Sequence, residues 1–360
     1  MKKKDMLIFD AHCDTANVFL KDSFYFMDKK NNHLNADKVK KGGLKAQIFA
    51  LWVNPLYPLN KSEEKALLLY DGLEKNIFKK GWGKKVTSIK EMDYALNSKK
   101  LACWIFLEGG HIIENSIEKL KNFYSLGVRG MTLVHTKNTD WADSSGDKPK
   151  WNGINNLGKQ IVNKMNEIGM IIDVSHSSDK TVEDVLEISK KPIMASHSCA
   201  RALCDIPRNL PDNLIKEIAE SKGYIGVNFF PGFLDKKIYN QLMRNLENYK
   251  TWYKEKLTEN KNNLEMLDKI EIDLYMKMVK GIDKVDLSVL IDHISHIVNI
   301  GGIDCVGLGS DFDGITATPE NLTDVSCYPN LVNSLFENGF NEKDIEKIVG
   351  LNLYNFLKRS

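Results

Sequence analysis

The feature that most constrains this chain is an alternation: short runs rich in Val, Ile, Phe and Leu, separated by longer stretches of helical periodicity. Eight such runs occur, at residues 6–9, 46–53, 101–107, 130–134, 170–174, 192–195, 224–229 and 305–309. A strand that is apolar along its whole length is buried on both faces, the situation of a parallel sheet covered by helices. Eight βα units favour a closed barrel over an open sheet. The expected fold is therefore α/β, a single (β/α)8 TIM-type barrel over residues 1–360, a length that barrels with insertions reach as one domain.

The intervals between runs read as helices at 62–79, 116–126, 158–169 and 179–189, with Asp179 as the expected N-cap of the last and Gly169 as a glycine stop. Residues 231–284 break the rhythm between strands 7 and 8. They are rich in Lys, Asn and Glu with a helical Met/Leu/Tyr spacing. This is expected to be an inserted helical segment, either crossing the barrel mouth or standing off as a solvated appendage.

Charge narrows the partners. Fifty Lys+Arg against 48 Asp+Glu leave a net charge of +2, too little to draw in nucleic acid or an anionic membrane. No apolar run reaches the roughly 18 residues of a membrane helix. Lys2–Lys4 resemble the start of a leader, but the apolar stretch after them ends at Asp10. A cytoplasmic protein is expected, its six cysteines without a CxxC pair and reduced.

Barrel enzymes build their sites at the C-terminal ends of the strands, and here those ends carry metal-binding groups. The first gives His12 and Asp14, placed on one face by the period of two, with Cys13 facing away. The third delivers Glu108 straight from an apolar strand, where a carboxylate needs a cation or donors to offset its desolvation. The fifth and sixth bring His176 and His197, and the eighth brings Asp311. This nitrogen/oxygen set suits Zn2+ or another divalent transition metal. Six donors exceed the needs of one catalytic zinc, so a carboxylate shared by two cations, with an acidified water between them, accounts for the number.

In combination and order, the stretches 10–15, 42–47, 107–110, 126–135, 172–176, 196–198, 208–209 and 309–314 resemble the membrane (renal) dipeptidase family, binuclear zinc peptidases of the amidohydrolase superfamily. The resemblance runs from about Ile8 to Leu357. It implies two Zn2+ per chain, one on His12, Asp14 and Glu108 and the other on Glu108, His176 and His197, with Glu108 bridging. It also implies catalytic roles for Asp311 as proton shuttle and for His135 at the scissile carbonyl, and a clamp by Arg208 on the terminal carboxylate of a dipeptide substrate. Asn228 and Phe230 are expected to line the pocket. Dipeptides with a C-terminal D-residue and a homodimer are implied in the same way.

Asp10, Asp173 and Asp313 are expected to hydrogen-bond behind the ligands or within loops. His293 and His296 form an HxxH on a helix outside the barrel and are expected to be structural. His33 and His111 have no partners at metal-like spacing, and Arg201 has no assigned role. Two other functions remain open at this stage: a binuclear amidohydrolase acting on a cyclic amide or N-acyl amino acid, and a catalytically silent metal- or peptide-binding scaffold.

Overall fold

The computed structural model describes residues 6–20 and 32–360; the Lys2–Lys4 run lies outside them. Among the described residues there are nine strands: β1 (Ile8–Cys13), β2 (Leu44–Trp52), β3 (Gly83–Lys85), β4 (Leu101–Glu108), β5 (Gly130–Thr132), β6 (Ile171–Asp173), β7 (Met194–Ala195), β8 (Tyr224–Val227) and β9 (Val306–Leu308). They pair in the order β2-β1-β9-β8-β7-β6-β5-β4, and β2 also pairs with β4, which closes a parallel eight-stranded barrel. The remaining strand, β3, lies against the first half of β4, while β5 takes its second half. The sequence reading misses β3 because Gly83-Lys84-Lys85 offers no apolar run to detect.

Alternation is clearest on β4. Ala102, Trp104 and Phe106 belong to one buried cluster with Ala46, Ile48 and Met194, whereas Leu101, Cys103, Ile105 and Leu107 belong to the other. Glu108 shares the parity of Trp104 and Phe106. The first cluster also takes in Leu353, Phe356 and Leu357 of the C-terminal helix Asn352–Arg359.

Helix termini follow local chemistry. Asn155 caps the helix Asn156–Ile168, which ends on Gly169 at φ +77°. The helix Asp179–Ile188 starts differently from expectation: Ser178, not Asp179, is its N-cap, with Oγ accepting from the Thr181 N–H at 3.2 Å. Asp179 instead forms a bidentate pair with Arg201 at 2.6 and 2.7 Å, which supplies the role that the sequence left unassigned.

The inserted segment is a helical hairpin, Lys236–Glu259 and Leu264–Met278, following the short turn Pro231–Leu234. It starts beyond the end of β8 and is tied to the segment after β2, where Tyr57 Oη donates to Asp268 Oδ2 at 2.8 Å and Lys65 pairs with Asp268 at 2.9 Å. Leu242, Leu267, Ile270 and Leu274 are buried. The hairpin is therefore anchored at Asp268 to the segment after β2, while most of its residues remain at least partly exposed. No helix among the described residues is long and apolar enough to cross a membrane.

A close approach near the C-terminus supplies a stability test. A Cβ on Gly350 would lie 1.9 Å from the Leu7 carbonyl oxygen and 3.1 Å from the Phe9 nitrogen. Backbone atoms cannot swing aside as a flexible side chain does. Gly350→Ala is expected to lower stability by about 1–3 kcal/mol, read as a lower denaturant midpoint at unchanged slope.

Candidate metal centre and active site

Strand ends set the site. β1 continues to Cys13, so His12 lies within it, but its register against β2 shifts between Asp10 and Cys13. Such irregularities re-aim side chains. His12 faces Glu108 and Asp14, whereas Asp10 is held by Ser310 and Tyr328. β4 ends at Glu108, and Gly109, at φ +111°, lets the chain turn away immediately. His176 and Asp311 adopt φ of +66° and +62°, a conformation costing of order 1–3 kcal/mol that persists only where surroundings enforce it.

The two oxygens of Glu108 face different histidines. Oε2 lies 3.4 Å from His12 Nε2, which is 3.5 Å from Asp14 Oδ2. Oε1 lies 3.3 Å from His176 Nε2 and 3.5 Å from His197 Nε2. The two latter nitrogens are 2.8 Å apart. His135 Nε2 is 3.8 Å from the same Oε1, and Asp311 Oδ1 is 3.9 Å from His12 Nε2. His12, His135, His176 and His197 thus gather around the Glu108 carboxylate, and Asp14 and Asp311 join the cluster through His12.

Burial dominates the electrostatics. It holds His176 and His197 well below the ordinary imidazole range, assisted by the Arg208 cation, so both keep free lone pairs. His135 is lowered to about 3 by burial and then by Arg208. Burial pushes Asp14 up to about 6, with Glu108 adding repulsion, and Asp311 up to about 7, with Asp14 doing the same. Burial also opposes a charge on His12, but Glu108 and Asp14 outweigh it and raise its pKa.

These residues fit a metal. His12 Nε2 is buried without a hydrogen-bond partner, and two imidazole nitrogens face each other beside a carboxylate oxygen. The groups His12–Glu108–His197, Glu108–His135–His176 and His12–Asp14–Asp311 each bring donor atoms within 4.8 Å of one another. Cations placed among them would satisfy the orphaned nitrogen and neutralise the carboxylates.

Arg208 lies beside this cluster. Its Nη1 donates to Ser198 Oγ at 2.9 Å and its Nη2 to the His197 carbonyl at 2.7 Å, while Nε is buried and unpartnered. Asn228, expected at the substrate, is fully buried: its amide donates to Asp311 Oδ2 at 2.9 Å and its oxygen accepts from Phe230 N–H at 2.7 Å. That geometry positions Asp311. Trp52, which the sequence reading passed over as an apolar strand residue, donates from its indole Nε1 to His135 Nδ1 at 3.3 Å.

The remaining histidines stay out of the cluster. His293 is buried between the Ala200 N–H and the Leu234 carbonyl, and His296 pairs with Asp212. His111 Nε2 is 3.1 Å from the Val53 carbonyl. His33 accepts from the Asp313 N–H, and Asp313 accepts from Thr15, which braces the loop carrying Asp311. Cys13 is buried in the outer apolar cluster, away from the ligands.

A model of the family described as membrane dipeptidase (peptidase family M19) matches residues 3–359. The chain is 34% identical over 262 residues to dipeptidase tcpJ of Claviceps purpurea, covering 72% of this chain and 51% of that protein. It is 30% identical over 268 residues to dipeptidase 3 of Mus musculus, covering 73% and 45%. The chain spans about half the length of these curated relatives. The solved structure of the probable dipeptidase PvdM from Pseudomonas aeruginosa matches with a TM-score of 0.86 at 26% identity, over 98% of this chain and 95% of that one. A Rhodobacter sphaeroides metallopeptidase, solved with a phosphinate mimic of the dipeptide L-Ala-D-Ala, shares the fold with a TM-score of 0.81 at 22% identity, over 98% and 99%.

A ligand that binds only the folded state stabilises it by about 2.7 kcal/mol at a hundredfold excess over Kd. Adding zinc to chelator-stripped protein is therefore expected to raise its melting temperature, and Glu108→Ala to remove most of that rise. A Glu108→Ala protein that is stabilised by zinc as strongly as the parent would show that the metal binds elsewhere.

Proposed function

We propose that this chain, which belongs to the membrane dipeptidase family (peptidase family M19), is a dipeptidase that holds two zinc ions and hydrolyses dipeptides with a free C-terminal carboxylate. The single observation that carries this reading is the division of Glu108, one oxygen toward His12 and the other toward His176 and His197. Such a division suits a carboxylate shared by two cations. His12, Asp14 and Glu108 would hold one ion, and Glu108, His176 and His197 the other. When bound, the ions would polarise the peptide carbonyl and make a water acidic enough to act as a nucleophile near neutral pH.

The chain's own groups supply the rest. Asp311, held by Asn228, accepts the proton of the water that adds to the carbonyl and passes a proton to the leaving amine. His135 donates a hydrogen bond to the carbonyl oxygen as charge develops there. Arg208 receives the substrate carboxylate through its unpartnered Nε, the guanidinium being held in place by Ser198 and the His197 carbonyl. Acceptance of a C-terminal D-residue alongside an L-residue is what the family resemblance implies.

The test is turnover of L-L and L-D dipeptides by purified protein, stripped by chelation and then restored with two zinc equivalents. Zinc-restored hydrolysis of both is expected; uptake of two ions without turnover would leave a binding scaffold, and turnover confined to neutral cyclic amides would replace the substrate class. Arg208→Ala is expected to raise KM roughly 10- to 100-fold, the value of about 1.5–3 kcal/mol for a hydrogen bond to a charged group, with a smaller change in kcat. Asp311→Asn should lower kcat by roughly 10²–10⁴ with zinc content unchanged.

A further inference from the structure

Distances alone do not separate His135 from the metal-binding histidines. Its Nε2 is 3.8 Å from Glu108 Oε1 and that of His197 is 3.5 Å from the same atom, and His135 belongs to one of the clusters whose atoms could hold an ion. The difference lies on the far side of each ring.

Behind His197, Nδ1 is 2.7 Å from Ser196 Oγ, and Ser196 Oγ is 2.5 Å from Asp173 Oδ2. A carboxylate only accepts, so the serine hydroxyl donates to it and must accept from Nδ1–H. His197 therefore carries its proton on Nδ1 and presents a lone pair at Nε2. Behind His135 the order is reversed. Its Nδ1 faces the indole N–H of Trp52, which can only donate. Nδ1 must accept, and the one ring proton sits on Nε2, pointing at the space beside Glu108.

We propose that Trp52 is the positioning residue that fixes His135 as an Nε2–H donor toward the reacting carbonyl and keeps it out of the metal ligand set. The role of the donor rests on the reading given under Proposed function; the tautomer itself does not. Register places Trp52 for this task, because it is the last residue of β2 and lies opposite Glu108 in the β2–β4 ladder. The indole and imidazole meet edge to face, with centroids 5.6 Å apart. An outer partner that selects the tautomer of a histidine also selects what its inner nitrogen can do.

The experiment is a long-range proton–nitrogen NMR spectrum of zinc-loaded, 15N-histidine-labelled protein, with His135 assigned by its loss in His135→Gln. The expected spectrum has His135 protonated on Nε2 with a bare Nδ1, and His197 with the opposite tautomer and a zinc-shifted Nε2. In Trp52→Phe, His135 is expected to lose its single tautomer while zinc content stays the same. Its kcat on dipeptides is expected to fall roughly tenfold with KM little changed, less than the 10²–10³ lost when an oxyanion donor is deleted outright, because the imidazole remains. A parent His135 protonated on Nδ1 or shifted by zinc, or an unaltered tautomer in Trp52→Phe, would overturn the proposal. If Trp52→Phe does not fold, the parent spectrum decides alone. Absence of dipeptide turnover in the parent protein would overturn the functional reading while the spectrum still tests the tautomer.

Discussion

A carboxylate buried at the end of an apolar strand must be compensated, and the site is organised around that requirement at Glu108. The group is about 2% exposed, and the idealised cost of burying such a charge alone is of order 20 kcal/mol. Four imidazoles and the Arg208 guanidinium surround it, and burial holds three of those imidazoles, His135, His176 and His197, below the ordinary range, which disfavours their carrying the missing positive charge. Cations are the economical solution, since a single class of ligand would neutralise Glu108 and Asp14 and also occupy the orphaned nitrogen of His12. The barrel makes this possible by bringing β1, β4, β6, β7 and β9 to one rim although their residues are far apart in sequence.

Much of this is legible in the sequence, because it depends on strand ends. The apolar run 101–107 fixes where β4 must stop, and Glu108 is the next residue. His176 and His197 are found by the same rule. Asp10, expected to hydrogen-bond behind the ligands, does so with Ser310 and Tyr328. The register shift between Asp10 and Cys13 leaves no trace in residue types. β3 was invisible for a related reason: a strand of glycine and two lysines forms because β4 offers it an open flank, not because its side chains call for it.

Trp52 and Asn228 show a second limit. Both stand at the ends of apolar runs and look like core or lining residues by composition. Their importance comes from a single polar atom each, the indole N–H on His135 and the amide on Asp311. Hydrogen-bond partners across strands are set by register and tilt, which a pattern of hydrophobicity does not specify. The same holds for Ser178, which takes the cap that Asp179 would otherwise suit. Asp179 is left free to bind Arg201 because the serine begins the helix one residue earlier.

The carboxylates that do not ligate explain why the site can be stiff while built on short strands. Asp10 accepts from the Ser310 and His12 N–H groups and from the hydroxyls of Ser310 and Tyr328, at 2.9, 3.3, 2.5 and 2.7 Å. Asp173 accepts from the Ser175 and Ser196 N–H groups and from the hydroxyls of Ser196 and Thr132, at 3.0, 2.9, 2.5 and 2.7 Å. Each joins its own strand to the next at the barrel rim, β1 to the Ser310–Asp311 loop and β6 to the Ser196–His197 end of β7. Charge-assisted bonds of this sort are about twice as strong as neutral ones. They hold His12 and Asp311 in register on one side and His176 and His197 on the other, including the left-handed backbone at His176 and Asp311. β7 has only two residues in ladder, too few to orient a side chain by pairing alone, so the buried carboxylate behind it carries the precision that the strand lacks.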